Sequence, residues 1–340
     1  MKVAMYEGIK NIKIREMKLN ELNEDDILIK VKVAGICATD VKTYLRGHPA
    51  FKPPVVLGHE YSGIVQEVGS KVSVCKKGDR VTVAPYIECG ECIYCKKNDR
   101  DLCINKLYST AGAFAEYVVI NQKFAEKAML KLDKRISYRV ASLTEPLACC
   151  INTINQCSAK KGDNVLIIGA GAMGILNGFI SKIRGAENVI ISDINSMRLN
   201  IAEEFGLIPV NVEKENLNEL VNKITNNIKC DVVIVAVGNV KVVEDGFQYV
   251  RKGGKVHMFG GDTMDSIISV PSHHIHYSKI SLLGSSGFSS VNFKEAMDVI
   301  GDYDELLKNI ITDSYSLENI EIGINNVAEG KGLRTIIEFE

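Results

Sequence analysis

No run of the 340-residue sequence is apolar for long enough to cross a bilayer. The longest candidates, such as "DNVLIIGAGAMGILNGFI", carry several glycines and read as buried strand and helix. Net charge is nearly absent too: 41 Lys and Arg stand against 42 Asp and Glu, a formal −1. No global basic field therefore points to nucleic acid or to an anionic membrane, and neither is expected as a partner. Repeats, low-complexity tracts and long charge blocks are also missing. The opening "MKVAMYEGIKNIKIREM" has charges every few residues and no apolar core for a signal peptide, so a cytoplasmic protein is expected. The hydrophobic fraction of 46% and charged fraction of 24% belong to an ordinary globular chain. The length favours two domains.

Cysteine is plentiful: there are ten. In a compartment that keeps thiols reduced, disulfides are not expected. Cys75, Cys149, Cys150, Cys157 and Cys230 read as small buried hydrophobes. Four others crowd into "CGECIYCKKNDRDLC", where Cys89, Cys92, Cys95 and Cys103 are spaced C-x2-C-x2-C-x7-C. Taken alone, four thiols this close could serve as disulfides, a redox pair, an iron–sulfur site or a metal knot.

Residues 1–145 are rich in short β-type runs with Gly and Pro breaks, such as "DILIKVKVAGI" and "KKGDRVTVAP", which suggests an antiparallel barrel or sandwich. A helix is expected over 148–156. Continuous apolar strands then alternate with amphipathic helices over 146–285: "NVLIIG", "NVIISD", "CDVVIVAVG", "KVHMFG". That pattern means a parallel sheet covered on both faces. Residues 286–340 return to mixed elements and end in a β-like "LRTIIEFE".

"NVLIIGAGAMGILNGFI" places Gly169, Gly171 and Gly174 after an apolar strand and at the start of a helix, with Ala172 and Met173 between the last two. Gly169 permits the tight turn, Gly171 lets backbone approach a pyrophosphate, and Gly174 lets the helix pack on the strand. The helix N-terminus offers free N–H groups to phosphates. The next strand ends at Asp193, about 20 residues on, where an acid binds ribose hydroxyls and repels a 2′-phosphate, so NAD is expected over NADP. Arg198 is placed to stack near an adenine or to reach a 2′-phosphate.

Upstream, "AGICATD" holds Cys37, "LGHEYSG" holds His59 and Glu60, and "LTEPLAC" holds Glu145. Thiolate, imidazole and carboxylate suit a catalytic zinc site, which keeps a position open for water or substrate. Beside a dinucleotide-binding domain they suggest one reaction: zinc lowers the pKa of an alcohol, and the hydride passes to the cofactor.

These motifs, in this order along essentially the whole chain, resemble the zinc-dependent medium-chain dehydrogenases of the alcohol, sorbitol and threonine dehydrogenase superfamily. "EPLAC" and "LGHEYSG" look closest to the sorbitol branch. The resemblance implies an α/β fold in which a GroES-like β-rich catalytic domain (1–145 and 286–340) accompanies a doubly wound Rossmann domain (146–285). It implies that Cys89, Cys92, Cys95 and Cys103 hold a structural zinc, and that Cys37, His59 and Glu60 match catalytic zinc-binding positions. Glu145 matches an acid that binds the metal or its water, and is expected to compete with Glu60. Asp40 matches a residue behind the metal ligands. Thr39 matches a hydroxyl that contacts the substrate oxygen and starts proton release. Many relatives have a relay histidine five positions after the zinc cysteine, where this chain has Lys42. With a pKa near ~10.4 a lysine is a poor shuttle at neutral pH. Lys42 could instead form a cationic rim with Arg46 and His48 that suits a phosphorylated or acidic substrate, or simply be solvated.

The expected activity is NAD-dependent oxidation of a secondary hydroxyl of a polyol or sugar derivative. An L-threonine dehydrogenase is the alternative, and a non-catalytic dinucleotide-binding protein the rival from another class. The expected cofactors are NAD and zinc, one catalytic and one structural. The expected partner besides the small-molecule substrate is a second copy, in a dimer or tetramer, by resemblance only. His273, His274 and His276 in "SHHIHYSK" are expected to serve local packing and a domain interface rather than to bind metal.

Overall fold

The computed structural model describes residues 1–109, 112–263 and 265–340. It divides into two units, 1–148 with 288–340, and 149–287. The sequence reading places these boundaries at 145 and 285.

The first unit is built around the strand Asp26–Gly35, whose Ile27, Ile29, Val31 and Val33 are buried. This strand pairs antiparallel with Glu60–Val68, with Tyr117–Asn121 and with Arg334–Glu338. Beyond Glu60–Val68 lie Arg80–Val83 and then Met129–Lys131; beyond Arg334–Glu338 lies Ile311–Ser316. Residues 288–340 are thus knitted into a sheet begun by residues 26–68. Two pairings in this sheet position the site: Gly35 stands opposite Glu60 on one side and opposite Ile336 on the other. Residues two apart on a strand share a face, so Arg334, two before Ile336, lies on the face that Gly35 and Glu60 share.

The second unit carries a six-stranded, all-parallel sheet. Its order is Ile208–Asn211, Asn188–Asp193, Asn164–Ile168, Cys230–Val235, Val250–Met258, Ser281–Gly284. Leu166, Ile190, Val233, Val235 and Val256 of the strands pack with Leu217, Val221, Val243 and Phe247 of the crossover helices. Burying apolar residues on both faces is what continuous rather than alternating hydrophobic strands require.

One helix boundary needs correction. The helix expected over 148–156 runs Thr144–Cys157. Pro146 falls in its first turn, where a missing N–H costs nothing, so "TEP" starts the helix instead of barring it. The helix Ser272–Ser278 buries no residue. Its histidines pack locally: the His273 and His276 rings contact Tyr277, with centroids 4.6 Å away in both cases. Among the described residues no helix is long and apolar enough to cross a membrane.

Candidate active site and metal centres

Cys37 ends the turn that follows the strand Asp26–Gly35 and precedes the helix Ala38–Arg46. Asp40, in the first turn of that helix, is 1% exposed. Its carboxylate accepts the Cys37 N–H at 2.9 Å and the Gly58 N–H at 3.3 Å, and lies 3.7 Å from His59 Nδ1. Asp40 therefore ties together the two chain segments that bear Cys37 and His59. Gly58 makes this approach possible: its φ is +90°, and a Cβ there would meet the Phe114 ring at 2.8 Å.

Cys37 Sγ, a His59 nitrogen and a Glu60 oxygen lie within 4.8 Å of one another. Burial pushes the Cys37 thiol up, but neighbouring His59 outweighs this and leaves it below its ordinary value. Burial lowers His59, and the charges of Asp40 and Cys37 override that to raise it well above the usual imidazole range. The negative field of Asp40 and Cys37 that favours a proton on His59 would equally favour a divalent cation held by the neutral imidazole and the thiolate. Glu60 is 1% exposed; its Oε2 is met by the Arg334 guanidinium, and its Oε1 has no hydrogen-bond partner. This donor set fits zinc, and Asp40 stands where an outer partner of a ligating imidazole would.

Of the expected catalytic residues the fold gathers Cys37, His59 and Glu60, with Thr39 and Asp40 on the adjoining helix turn. Glu145, half-buried in the first turn of Thr144–Cys157, lies outside the cluster. Lys42 and Arg46 are exposed on the helix Ala38–Arg46, and Thr39, Lys42 and Arg46 follow the i, i+3, i+7 spacing of one helix stripe. One residue escaped the sequence reading. Arg334, 6% exposed, forms an ion pair with Glu60 through its Nη2. The only sequence signal was a charged residue opening the apolar strand "RTIIE".

The four-cysteine segment is a lobe without an apolar core. Ile93, Leu102, Ile104, Leu107 and Tyr108 are all more than half exposed, whereas Cys95 and Cys103 are buried. The thiols converge: Cys92–Cys95 and Cys89–Cys103 are 3.5 Å apart and Cys89–Cys95 3.9 Å. Four sulfurs bound tetrahedrally at about 2.3 Å from zinc stand about 3.8 Å apart, so the lobe has the metal's own geometry. Backbone N–H groups of Glu91 and Cys92 point at Cys89 Sγ, each at 3.4 Å, and hold that thiol below its ordinary value. The Cys95 N–H leads in holding Cys92 down to about 6, and burial pushes Cys95 up to about 12. Glu88 anchors the lobe's base by accepting from the Ser290 N–H at 3.0 Å and its hydroxyl at 2.6 Å.

In the second unit each glycine of the turn has its own reason. Gly169 has φ +105°, and a Cβ there would meet Val237 at 2.6 Å. A Cβ at Gly174 would overlap the Gly169 carbonyl. At Gly171 a Cβ would meet nothing within 4 Å, so that glycine leaves open space at the N-cap of Ala172–Ile183, the place a pyrophosphate takes on such a turn. Asp193 accepts the Ala170 N–H at 2.7 Å and the Asn195 N–H at 2.9 Å, which fixes its carboxylate beside the turn. Arg198 is half-buried in the first turn of the helix Ser196–Glu204, its backbone N–H capped by the Asn195 side chain at 3.2 Å. These residues fit a nicotinamide dinucleotide.

Two family models match the chain: an alcohol dehydrogenase GroES-like domain over residues 23–130 and a zinc-binding dehydrogenase over 172–302. The chain is 31% identical to a probable D-xylulose reductase A of Aspergillus clavatus, with 98% of this chain and 95% of that one covered. It is 29% identical to a sorbitol dehydrogenase of Bacillus subtilis over 97% and 94% of the two chains. A solved Sinorhizobium meliloti 1021 structure bound to NADP superposes with a TM-score of 0.88 at 28% identity, covering 99% of both chains. The chain belongs to the zinc-dependent medium-chain dehydrogenases of the alcohol dehydrogenase superfamily. It is an enzyme of that class, with a GroES-like and a Rossmann-like domain, and its cofactors are zinc and a nicotinamide dinucleotide.

Proposed function

We propose that the protein oxidises a secondary hydroxyl of a polyol or sugar derivative with NAD as hydride acceptor. The observation that carries this is the convergence of Cys37, His59 and Glu60 around one point in a chain whose full-length relatives include a sorbitol dehydrogenase and D-xylulose reductases. NAD is favoured over NADP by the Asp193 carboxylate, fixed by two backbone N–H groups at the strand end where a 2′-phosphate would meet its charge.

Cys37 and His59 hold the catalytic metal, Asp40 orients the imidazole, and Glu60 or Glu145 completes the set. When bound there, zinc lowers the pKa of the substrate hydroxyl so that its carbon can release hydride to the nicotinamide. The Thr39 hydroxyl, two residues past Cys37, hydrogen-bonds the substrate hydroxyl and takes the first step in passing its proton on. With no histidine at position 42, the proton leaves through cofactor hydroxyls and water. Cys89, Cys92, Cys95 and Cys103 hold a second, structural zinc that stands in for the core this lobe lacks. Thiols kept reduced for metal binding support a cytoplasmic location.

Two features support a homo-oligomer. The strand Ser281–Gly284 is an edge of its sheet and leaves Leu282 39% exposed, and the adjacent helix buries nothing. Open apolar edges of this kind pair with other chains, and light scattering of the purified protein reads the outcome.

The test of function is NADH formation by zinc-loaded enzyme with matched free and phosphorylated polyols, and with threonine as control. Turnover of a polyol with no turnover of threonine is expected. Preference for the phosphorylated member would assign Lys42 and Arg46 to its phosphate. Turnover of threonine alone, or of none, refutes the proposal.

A further inference from the structure

The second unit holds a cavity at the end of its sheet remote from the glycine turn. Its volume is about 570 Å³, and Phe247, Val250 and Ile280 line it together with Lys229, Arg251 and Lys252. Lys229 directly precedes the strand Cys230–Val235, and Arg251 is the second residue of Val250–Met258. Those strands run parallel to Asn164–Ile168, whose last residue stands opposite Val235 and leads into Gly169. At about 3.3 Å per residue, Lys229 and the glycine turn are roughly 20 Å apart, so the cavity is separate from the dinucleotide site.

The floor of the cavity is apolar: Phe247, Val250 and Ile280 are each no more than 5% exposed. Its rim is cationic, and among the described residues no acid lines it. Arg251 is already answered, because Asp231 accepts from its Nε at 2.6 Å and the Lys252 carbonyl accepts from its Nη1 at 2.6 Å. Lys229 and Lys252 form no ion pair among the described residues. Lys229 is also strained, with φ at +75°. Asn226 and Asn227 have positive φ too, but they close the helix Leu217–Ile224, where asparagine is common. Lys229 lies beyond that ending, and a lysine side chain does nothing to ease left-handed backbone. Its N–H is tied to the hydroxyl of buried Thr225 at 2.9 Å, which holds it in this conformation. Backbone strain of this kind collects at ligand sites.

We propose that this cavity binds a small organic anion, a phosphate or carboxylate joined to an apolar or aromatic body. Lys229 and Lys252 take the anionic group, and Phe247, Val250 and Ile280 face the body. An apolar floor with a few convergent charged groups is the general form of a small-molecule site, and the volume is of the usual size. Two ammonium groups without partners have charge-assisted hydrogen bonds to gain. The proposal does not depend on the polyol reading.

Calorimetric titration of the zinc-loaded enzyme, saturated with NAD so that the cofactor site is closed to the probe, tests it. Phenyl phosphate carries both parts, inorganic phosphate only the charge, and phenol only the ring. We expect one phenyl phosphate per chain, bound more tightly than either fragment. Lys252→Ala and Lys229→Gly should each weaken it by about 10-fold while NAD affinity is unchanged. Lys229→Gly should also melt at or above the wild-type temperature, because glycine adopts the left-handed backbone freely. Absence of phenyl phosphate binding, or binding that neither substitution weakens, overturns the site. Inorganic phosphate bound as tightly as phenyl phosphate overturns the role of the apolar floor.

Discussion

His257 offers a test of the Rossmann unit that needs no cofactor. It lies in the strand Val250–Met258, opposite Ile234 on one side and Leu283 on the other, and is 0% exposed. Among the described residues neither ring nitrogen has a protein hydrogen-bond partner. Burial pushes its pKa down to about 4, because the imidazolium would lose its hydration and gain no counter-ion. An exposed histidine in the unfolded chain titrates near 6.5. Between about 6.5 and 4 the unfolded state therefore takes up a proton that the folded state refuses. Stability falls as pH falls through that window, is unaffected by this group above it, and loses nothing more from it below. At 1.36 kcal/mol per unit, the lowering from 6.5 to about 4 costs about 3 kcal/mol by the acid end. His257→Leu removes the linkage and two unpartnered polar atoms. It should equal or exceed the wild type at pH 7.5, and its advantage should grow by about 3 kcal/mol at pH 4. The sequence has no tryptophan, so urea melts followed by far-UV circular dichroism at a series of pH values are the suitable assay. Other titrating groups are common to both proteins and cancel in the difference. Stability that declines in parallel for the two proteins would refute the reasoning.

The remaining expectations concern the sites. Cys37→Ser should abolish turnover while NAD binding, followed by calorimetry, is retained; retained turnover would remove the catalytic assignment. Asp193→Ala deprives a ribose of a charged acceptor and should weaken NAD by about 10-fold or more while narrowing the preference over NADP, read from KM for the two cofactors. Cys92→Ala opens the four-thiol lobe and should release one zinc per chain to a chelator and lower the melting temperature. A lobe variant that is fully stable but inactive would contradict the structural role.

The glycine turn and the thiol lobe were legible because each is local: the spacing of a few neighbouring residues carries the geometry, whether a Cβ overlap at Gly174 or the 3.5 Å approach of Cys92 to Cys95. Cys37, His59 and Glu60 were legible only as motif pieces, since a sheet pairing and Asp40 bring them together. Gly35 was not legible, and Arg334 only as a charged residue opening an apolar strand. Their connection to Glu60 depends on a strand from the end of the sequence pairing with one near its start, and no local pattern encodes that register. Glu145 reads as a ligand by its motif, but the first turn of its helix keeps it outside the cluster of three. His257 reads as one more strand residue, because its burial depends on both neighbouring strands.

The strand Asp26–Gly35 takes one of its three neighbours from residues 334–338, on the far side of the whole Rossmann segment. Chains emerge from the ribosome in order, and domains fold as units when their residues are available. The inserted segment 149–287 is continuous, so it can fold while its host sheet still lacks a strand. Glu60 is therefore synthesised long before Arg334 arrives to balance its charge. Until that strand docks, the edge of Asp26–Gly35 that Arg334–Glu338 will cover has its backbone groups unpaired.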